Sequence, residues 1–448
     1  MTDTRLIQAG RRRWRTGLAF GLLCAGLALQ PWRPAQAVLQ IDITQGVTDP
    51  IPVAIVPFAR AVPADGGFDV AAVVQHDLEG SGRFRAMARR DMLSQPTRAA
   101  DVQAASWHAA GNDYTIVGRV SADGGGGLTI EFDLINVLTG QRLGGQRITA
   151  TAATLRNAAH RVADFVYEKI LGTRGAFATR IAYVAVEGQP PAQRFQLIVA
   201  DADGEDARIV LDSRQPIMSP AWSADGQWLA YVSFENRASS VYVQRVRTGE
   251  RRQVSARVGV NGAPAWSPDG ARLALTLSGS GGNLDIYVLE LATQQLTRLT
   301  NNPAIDTEPA WSLDGRSLYF TSDRAGGPQI YRLEVADPTR VQRVSFGTAY
   351  NARPRVSPDG RALAFVTRED ARFRIALQDL ASGSVRPLSA GSLDESPSFA
   401  PNGAMLIYAS HDSGRGALAT VSVDGLVSQR LKSDQGDVRE PVWGPFIP

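Results

Sequence analysis

The chain has 448 residues and a formal net charge of +3, and the positive excess lies in its first segment. Without residues 1–37 it keeps 41 basic and 43 acidic residues, a formal charge of −2, which excludes the electrostatic footprint of a nucleic-acid or anionic-lipid binder. Its one cysteine, Cys24, lies in the same segment, so the rest of the chain has no disulfide and no thiolate chemistry.

The first 37 residues have the three parts of a secretory signal peptide. Four arginines at positions 11, 12, 13 and 15 precede an apolar run over 17–29, and Ala35-Gln36-Ala37 follows. The run has 13 residues, too few to cross a hydrocarbon core of about 30 Å as a helix. We expect ordinary export with cleavage after Ala37, a mature chain that starts at Val38, and no membrane-spanning segment.

A repeat of 43 to 45 residues occupies the second part of the chain. Its clearest copies are Pro-Ala-Trp-Ser-x-Asp-Gly, and weaker copies follow. The copies begin at Pro220, Pro264, Pro309, Pro354, Pro397 and Pro441. Asp-Gly is a turn signal, and the aromatic residue is expected to pack between neighbouring repeats. We interpret the motif as architecture rather than as a binding site.

Each complete repeat predicts four strands, which is the unit of a β-propeller blade. Segments 180–186, 195–200 and 207–211 supply the last three strands of a blade that lacks its first. The clipped motif at 441–445 is that first strand. Five continuous blades and one built from both ends predict a six-bladed propeller over 176–448, closed by the C-terminal strand.

Residues 38–172 lack the period and predict an α+β domain, joined to the propeller by a short linker at 171–175. Strands are expected at 52–58 and 113–118, a hairpin at 128–137 with 141–149, and helices at 70–79, 99–111 and 154–171. The last helix has apolar residues at helical spacing, which we interpret as core. Before this domain, residues 38–49 alternate apolar with polar. They could be an edge strand of their own domain or could pair with a partner's sheet.

No motif in the sequence predicts catalysis or a metal site. The histidines, His76, His108, His160 and His411, are scattered without a carboxylate at metal spacing, so we expect ordinary surface or half-buried residues. No serine elbow and no phosphate loop occur. The acidic segment 201–206 resembles a calcium loop only weakly and is better read as a hairpin turn. We expect no enzyme activity, no cofactor and no metal.

The repeated blades, Ser322-Asp323-Arg324, the segment 392–397 and a signal-bearing α+β head resemble the TolB family, the periplasmic component of the Tol-Pal system. The resemblance covers the whole chain. It implies a periplasmic adaptor that binds the lipoprotein Pal at the propeller mouth and TolA through the mature N-terminal segment. It also implies a role in outer-membrane integrity and in constriction during cell division.

The resemblance places the Pal contacts in loops just before the repeated proline. In this chain they are Val260, Asn261, Asp306, Thr307, Glu308, Tyr350, Asn351, Arg353, Asp394 and Glu395. The family often has a histidine where Val260 stands. It places the TolA contacts at Val38, Leu39, Ile41, Asp42 and Ile43. The repeat alone puts these polar loops at one channel mouth, where they either bind a partner or only solvate the rim.

Two other functions remain open at this point. An enzyme would need a titratable cluster in the channel, and the residues ahead of the linker are too few for an attached hydrolase domain. A glycan or peptidoglycan binder would need exposed aromatic side chains at the mouth. The adaptor hypothesis predicts a broad polar rim, a mobile N-terminal segment, a monomer, and partners limited to Pal, TolA and other outer-membrane proteins, without nucleic acid. Substituting Glu308 or Arg353 is expected to weaken Pal binding without changing the fold.

Overall fold

The computed structural model describes residues 39–60, 68–123, 125–279, 281–412, 414–433 and 436–447. The predicted signal segment 1–37, its cleavage site at Ala37, and Val38 lie outside these residues. The described chain forms an α+β domain and a six-bladed β-propeller, which confirms the predicted fold class. Within the described ranges, none of the helices is both long enough and apolar enough to cross a membrane.

The N-terminal domain is one mixed sheet covered by helices. Its strands are β2 (Ile51–Ile55), β3 (Ala59–Arg60), β4 (Phe84–Ala86), β5 (Tyr114–Ala122), β6 (Leu128–Asn136) and β7 (Gln141–Ala150). Its helices are α1 (Val70–Gly80), α2 (Ala104–Ala109) and α3 (Leu155–Leu171). The sheet order is β4-β2-β5-β6-β7, with β3 also on β5. Strands β2, β3, β4 and β5 pair in parallel, and β5, β6 and β7 form an antiparallel meander.

Helix α3 packs its apolar stripe on the sheet and on α1. Val162 and Val166 are fully buried in one cluster with Leu78 of α1 and Ile116 of β5. The helix ends at Gly172, whose φ of 76° is the left-handed conformation that a helix C-cap favours. The predicted core stripe and the predicted position of this helix are therefore confirmed.

The predicted helix over 99–111 is wrong in its first half. The chain forms a 3₁₀ turn at Ala99–Asp101 and then the short helix α2. Between them Val102 has an extended backbone, with φ −83° and ψ 118°. This break lets Val102 and Trp107 join the same apolar cluster on the second face of the sheet, which a continuous helix would not allow.

Each blade of the propeller contains four antiparallel strands, and blade 5 has a fifth strand added at its outer edge. Blade 6 combines β8 (Arg180–Glu187), β9 (Arg194–Asp201) and β10 (Arg208–Ser213) with the last strand of the chain, β31 (Asp437–Trp443). Blade 1 has β11 (Ile217–Trp222), β12 (Trp228–Ser233), β13 (Ser240–Arg245) and β14 (Arg251–Ser255). Blade 2 has β15 (Asn261–Trp266), β16 (Arg272–Ser278), β17 (Leu284–Glu290) and β18 (Leu296–Arg298).

The other three blades repeat this order. Blade 3 has β19 (Asp306–Trp311), β20 (Ser317–Ser322), β21 (Gln329–Glu334) and β22 (Asp337–Arg343). Blade 4 has β23 (Asn351–Val356), β24 (Ala362–Glu369), β25 (Arg372–Asp379) and β26 (Val385–Pro387). Blade 5 has β27 (Asp394–Phe399), β28 (Met405–Asp412), β29 (Arg415–Ser422) and β30 (Ser428–Ser433).

The Ser-x-Asp-Gly part of the repeat builds the turn after each inner strand. In blade 3, Ser312 donates its hydroxyl to Asp314 at 2.6 Å and accepts the backbone N–H of Ser317 at 2.9 Å. Asp314 accepts the N–H of Arg316 at 3.0 Å, and Gly315 has φ 67°. A β-carbon at that φ would be strained, so glycine is required there. The motif is a turn, as its sequence predicts.

The tryptophan of the repeat links neighbouring blades by hydrogen bonds as well as by packing. The indole N–H of Trp266 donates to Ala221 O at 3.1 Å, and that of Trp311 donates to Ala265 O at 3.0 Å. Trp222 makes the equivalent bond to Val442 O on the closing strand, at 3.3 Å. Strand β31 in turn pairs with β8 in antiparallel register. The ring is therefore closed by the C-terminal strand, as the clipped motif predicts.

The first described strand, β1 (Leu39–Gln45), lies on the propeller and not on its own domain's sheet. It pairs antiparallel with β30, from Leu39 opposite Ser433 to Gln45 opposite Ser428. Blade 5 is consequently five-stranded. Of the two possibilities for residues 38–49, the edge strand of their own domain is wrong, because β30 offers an outer edge whose backbone groups β1 satisfies.

Candidate protein-binding face of the propeller

The loops that precede the inner strands β11, β15, β19, β23 and β27 all lie at one end of the ring. We call this end the rim face; its segments, each a loop together with the first residues of the inner strand that follows, are 214–219, 256–263, 301–308, 346–353 and 390–396. The Ser-x-Asp-Gly turns lie at the other end, which we call the turn face. The rim face surrounds the mouth of the channel, and it contains all ten predicted Pal-contact residues.

Four of these predicted contacts are buried and shape the loops instead of facing solvent. Each is the first residue of its inner strand, and the four are Asn261, Asp306, Asn351 and Asp394. Asn261 illustrates their role, because its amide donates to Arg257 O at 2.7 Å and accepts the N–H of Arg257 at 2.9 Å. Such side chains position the loop ahead of them and offer no surface to a partner.

Glu308 and Arg353 are half-buried and join neighbouring blades across the channel mouth. The Arg353 Nε donates to Glu308 Oε1 at 3.0 Å, and its backbone N–H donates to Oε2 at 3.0 Å. The other arm of the guanidinium donates to the hydroxyl of Ser396 in blade 5. These bonds lie at the junction of blades 3 and 4 and at the junction of blades 4 and 5. At these two junctions Val356 and Phe399 occupy the tryptophan position of the repeat, so no indole N–H donates to the preceding blade. Substituting Glu308 or Arg353 therefore also disturbs the contact between blades.

A ring of strained backbone positions follows the rim inside the channel. The residue before each repeated proline has a positive φ between 44° and 57°, although none is glycine. The six are Ser219, Ala263, Glu308, Arg353, Ser396 and Glu440. Below them the channel forms a cavity of about 350 Å³. Arg355 enters it where blades 1 to 3 have Ala221, Ala265 and Ala310, and burial there lowers the pKa of Arg355.

The rim face exposes a set of large apolar side chains among polar ones, which the sequence reasoning missed. Five loops present large apolar side chains to solvent, with Val258 98% and Phe346 62% exposed. The full set is Met218, Val258, Val260, Ile305, Phe346 and Leu393. A partial signal in the sequence was the apolar residue four positions before the repeated proline in three copies, Val260, Ile305 and Leu393. The predicted contact Tyr350 is half-buried against Phe373, and Thr307 and Glu395 are half-buried.

Two family models cover nearly all of the described chain. One is described as the TolB amino-terminal domain and matches residues 39–143, and the other, as the TolB beta propeller domain, matches residues 167–447. Curated relatives named Tol-Pal system protein TolB include one from Methylococcus capsulatus, 55% identical over 91% of this chain and 95% of the relative. Another, from Thioalkalivibrio sulfidiphilus, is 53% identical over 92% of this chain and 95% of the relative.

The chain belongs to the TolB family. A crystal structure of TolB from Acinetobacter baumannii matches with a TM-score of 0.84 and 40% identity, and it covers 91% of this chain and all of the other. Both domains and their order are thus those of the family, and the protein is a component of the Tol-Pal system. The rim face is the exposed surface that this family member presents at the channel mouth.

The two domains of this TolB family member meet at a buried charged cluster, which corrects the expectation for His160. That side chain is fully buried, with Nδ1 2.7 Å from Asp77 Oδ2. Its Nε2 lies 3.5 Å from Asp201 Oδ2 and 3.9 Å from Asp203 Oδ2. Arg156 pairs with both of these aspartates. The sequence concealed the cluster because it is assembled from three segments of the chain that are more than 40 residues apart.

Burial alone would lower the pKa of His160, but the carboxylates of Asp77, Asp201 and Asp203 raise it to about 10. The imidazole is therefore a cation at neutral pH, and it contributes stability that is fully present below pH 6.5 and is lost as the pH rises through about 10. Asp77, His160 and Asp203 have ligand atoms within 4.8 Å of one another, the spacing of a metal site. Arg156 and protonated His160 already supply two positive charges to these three aspartates.

Proposed function

We propose that this protein is a periplasmic, non-enzymatic adaptor of the Tol-Pal system that links TolA of the inner membrane to the lipoprotein Pal of the outer membrane and peptidoglycan. In this role it supports outer-membrane integrity and constriction during cell division. The observation that carries the proposal is the ring of exposed apolar side chains on the rim face. Contiguous exposed apolar surface with a polar surround is typical of protein-binding sites.

The rim face suits a folded protein better than a glycan. Carbohydrate sites stack sugars on exposed aromatic rings, but among the described residues of the rim only Phe346 is an exposed aromatic side chain. The other large apolar side chains exposed there are aliphatic or Met, and they lie among exposed polar side chains such as Arg214, Arg257 and Ser392. An apolar centre with a polar surround is typical of a protein contact. Around them the half-buried Thr307, Glu308, Arg353 and Glu395 add polar groups that orient a partner.

We assign TolA binding to β1, which contains four of the five predicted contacts: Leu39, Ile41, Asp42 and Ile43. The strand is joined to β30 along one edge only and is followed by the short segment 46–50. A strand held by one ladder can leave it and add to the edge of another sheet, since the same backbone hydrogen bonds form there. Without TolA, β1 then pairs with β30 of blade 5, and TolA competes with β30 for this strand.

Changing the apolar ring should weaken Pal binding without unfolding the propeller. The Val258→Asp and Phe346→Asp substitutions place a charge where the partner would remove water, so each should raise the Kd at least tenfold, or about 1.4 kcal/mol. Calorimetric titration of residues 38–448 with the soluble domain of the cognate Pal measures this. Leu313→Asp is the matched control, because Leu313 is 58% exposed on the turn face.

The three substitutions also distinguish an effect on Pal binding from an effect on folding. Thermal unfolding of all three variants should stay within about 0.5 kcal/mol of the parent, as is usual for exposed sites. If Leu313→Asp weakens the titration as much as Phe346→Asp does, the rim face is not the Pal site. If the parent itself does not bind Pal, the adaptor proposal fails.

Deleting residues 38–45 should remove TolA binding and keep Pal binding. The deletion takes away β1 and leaves the apolar ring unchanged, so the TolA Kd should rise at least tenfold, while the Pal Kd should change less than threefold. Titration of the same preparation with the soluble domains of TolA and of Pal gives both numbers. Unchanged TolA affinity would place that partner elsewhere on the protein.

A further inference from the structure

The channel below the rim face contains an arginine at a position where the other blades have small side chains. The residue directly after the repeated proline is alanine in blades 1 to 3, serine in blade 5 and valine in blade 6. In blade 4 it is Arg355, whose side chain lines the cavity of about 350 Å³. A departure from the repeat therefore places this cation in the channel, and the blade architecture does not require it.

The guanidinium of Arg355 has hydrogen-bond donors that the described residues do not use. An arginine has five N–H donors, and within the described ranges this one has a single acceptor, Pro354 O, 2.9 Å from Nη1. It forms no ion pair with any carboxylate of those ranges. Burial lowers the pKa of Arg355, because the cation is poorly solvated in the channel. A charged group with unused donors in such a place is one that an anion would satisfy.

The two carboxylates that line the cavity are already engaged by other groups. Glu308 accepts two hydrogen bonds from Arg353, and Glu440 accepts the backbone N–H of Ser219. Burial also raises the pKa of Glu440, which favours its neutral form. Among the described residues that line the cavity, Arg355 is therefore the cation without a carboxylate of its own.

Much of the remaining cavity wall is apolar. It is formed by prolines and tryptophans of the inner strands, including Pro220, Pro264, Pro309, Trp222, Trp266 and Trp311. The indole N–H groups of these tryptophans already donate to the neighbouring blade, so their rings offer apolar surface. Sites for small ligands have volumes of roughly 300–1,000 Å³ and combine apolar walls with a few polar groups. The channel has both properties.

We propose that the channel is a binding site for a small carboxylate: the Arg355 guanidinium pairs with the carboxylate, and the proline and tryptophan walls contact its apolar body. Two carboxylate oxygens match the planar donor fork of a guanidinium. A phosphate dianion fits less well, because it would lie near Glu308 and Glu440 with only one unpaired cation to balance it. The site does not rest on the proposed function, since neither TolA nor Pal takes part in it.

Calorimetric titration of residues 38–448 with benzoate, in a buffer free of other carboxylates, tests the site. Benzoate joins one carboxylate to a small apolar ring, and benzamide has nearly the same shape without the charge. We expect saturable one-to-one binding of benzoate, at least about tenfold tighter than that of benzamide or phosphate. Equal binding of benzoate and benzamide would overturn the charge pairing, and equal binding of phosphate would overturn the preference for a carboxylate.

Arg355→Ala should raise the Kd for benzoate at least about tenfold, because it removes the cation. Alanine is the residue at this position in blades 1 to 3, so the variant follows the repeat. Arg361→Ala is the matched control, since Arg361 is an exposed arginine in the turn of the same blade, and it should leave the Kd unchanged. Benzoate binding that is equal in the parent and in Arg355→Ala would overturn the inference.

Arg355→Gln covers the case in which alanine alters the shape of the channel, because glutamine keeps a long polar side chain without the charge. It should raise the Kd for benzoate as Arg355→Ala does. Without ligand, neither variant should melt below the parent, since Arg355 has no ion pair to lose. Saturating benzoate should raise the Tm of the parent and of Arg361→Ala but not that of either Arg355 variant. Stabilisation of all four proteins by benzoate would place its site elsewhere.

A carboxylate can reach the channel as a free molecule or as an acidic side chain of a protein docked on the rim face. Titration with the soluble domain of the cognate Pal, with and without saturating benzoate, distinguishes these sources. A Pal Kd that benzoate raises at least about tenfold would assign the carboxylate to the docked protein, and an unchanged Kd would assign it to a free molecule. Because the benzoate titration needs no Pal, failure of the site and failure of the adaptor proposal are distinguishable.

Discussion

Deleting residues 438–448 should lower the free energy of unfolding by more than about 4 kcal/mol, a loss that few single substitutions cause. The segment contains most of β31, which pairs with β8 and completes blade 6. Val438 is fully buried, and Trp443 donates its indole N–H to Thr179 Oγ1 at 2.8 Å. Without the segment, β8 has an open edge and blades 1 and 5 lose their closing neighbour, so the ring is no longer continuous.

Deletion of residues 447–448 is the control for this truncation, because it leaves β31 complete. Thermal and urea unfolding of the two truncated chains, compared with residues 38–448, give the difference. We expect a marked fall in Tm for the longer deletion and almost none for the shorter one. Equal melting of all three proteins would mean that blade 6 is stable without its inner strand and that the ring is not closed by β31.

The ring could be predicted from the sequence because its information is periodic and local. Pro-Ala-Trp-Ser-x-Asp-Gly defines an inner strand and a turn within seven residues, and six copies give the number of blades. The closing strand was predictable for the same reason, because its motif is a recognisable fragment of the repeat. The core stripe of α3 was likewise predictable from its spacing.

The sites depended on contacts that the sequence does not reveal. The pairing of β1 with β30 joins residues almost 400 positions apart, and either sheet offers an edge to an alternating strand. His160 looked ordinary because Asp77 and Asp203 approach it only through the fold. The buried Asn261 and Asp306 looked like binding residues because polar loop residues are usually exposed. In the structure, Asn261 instead forms hydrogen bonds with the loop backbone, and Asp306 pairs with the charge of Arg324.

Departures from the repeat mark where the ring needs a different link. Blades 4 and 5 have Val356 and Phe399 in place of tryptophan, so no indole donates to the preceding blade at these two junctions. Arg353 lies between them and bonds both Glu308 in blade 3 and Ser396 in blade 5. Its strained backbone, with φ 57°, points the side chain along the channel mouth toward both neighbours. A residue predicted for partner binding thus also holds the ring together.

Replacing Arg324 by leucine should destabilise the protein by about 3–5 kcal/mol, the usual cost of removing one partner of a buried ion pair. The Arg324 Nη2 donates to both carboxylate oxygens of Asp306 at 2.8 Å, and Asp306 is fully buried. Leucine would leave that carboxylate without its cation. The guanidinium also lies over the rings of Phe320 and Tyr331, at 5.3 and 5.0 Å, so the packing of blade 3 changes too.

The same substitution should weaken Pal binding, since Asp306 ends the loop that presents Ile305 on the rim face. Arg340→Leu is the matched control in the same blade, because the side chains of Arg340 and its partner Asp337 are 76% and 51% exposed. That change should stay within about 0.5 kcal/mol, as surface ion pairs contribute little. Urea unfolding and calorimetric titration of both variants measure the two effects. If Arg324→Leu is no more costly than Arg340→Leu, the buried pair does not organise the rim, and the loops there must be held by the blade alone.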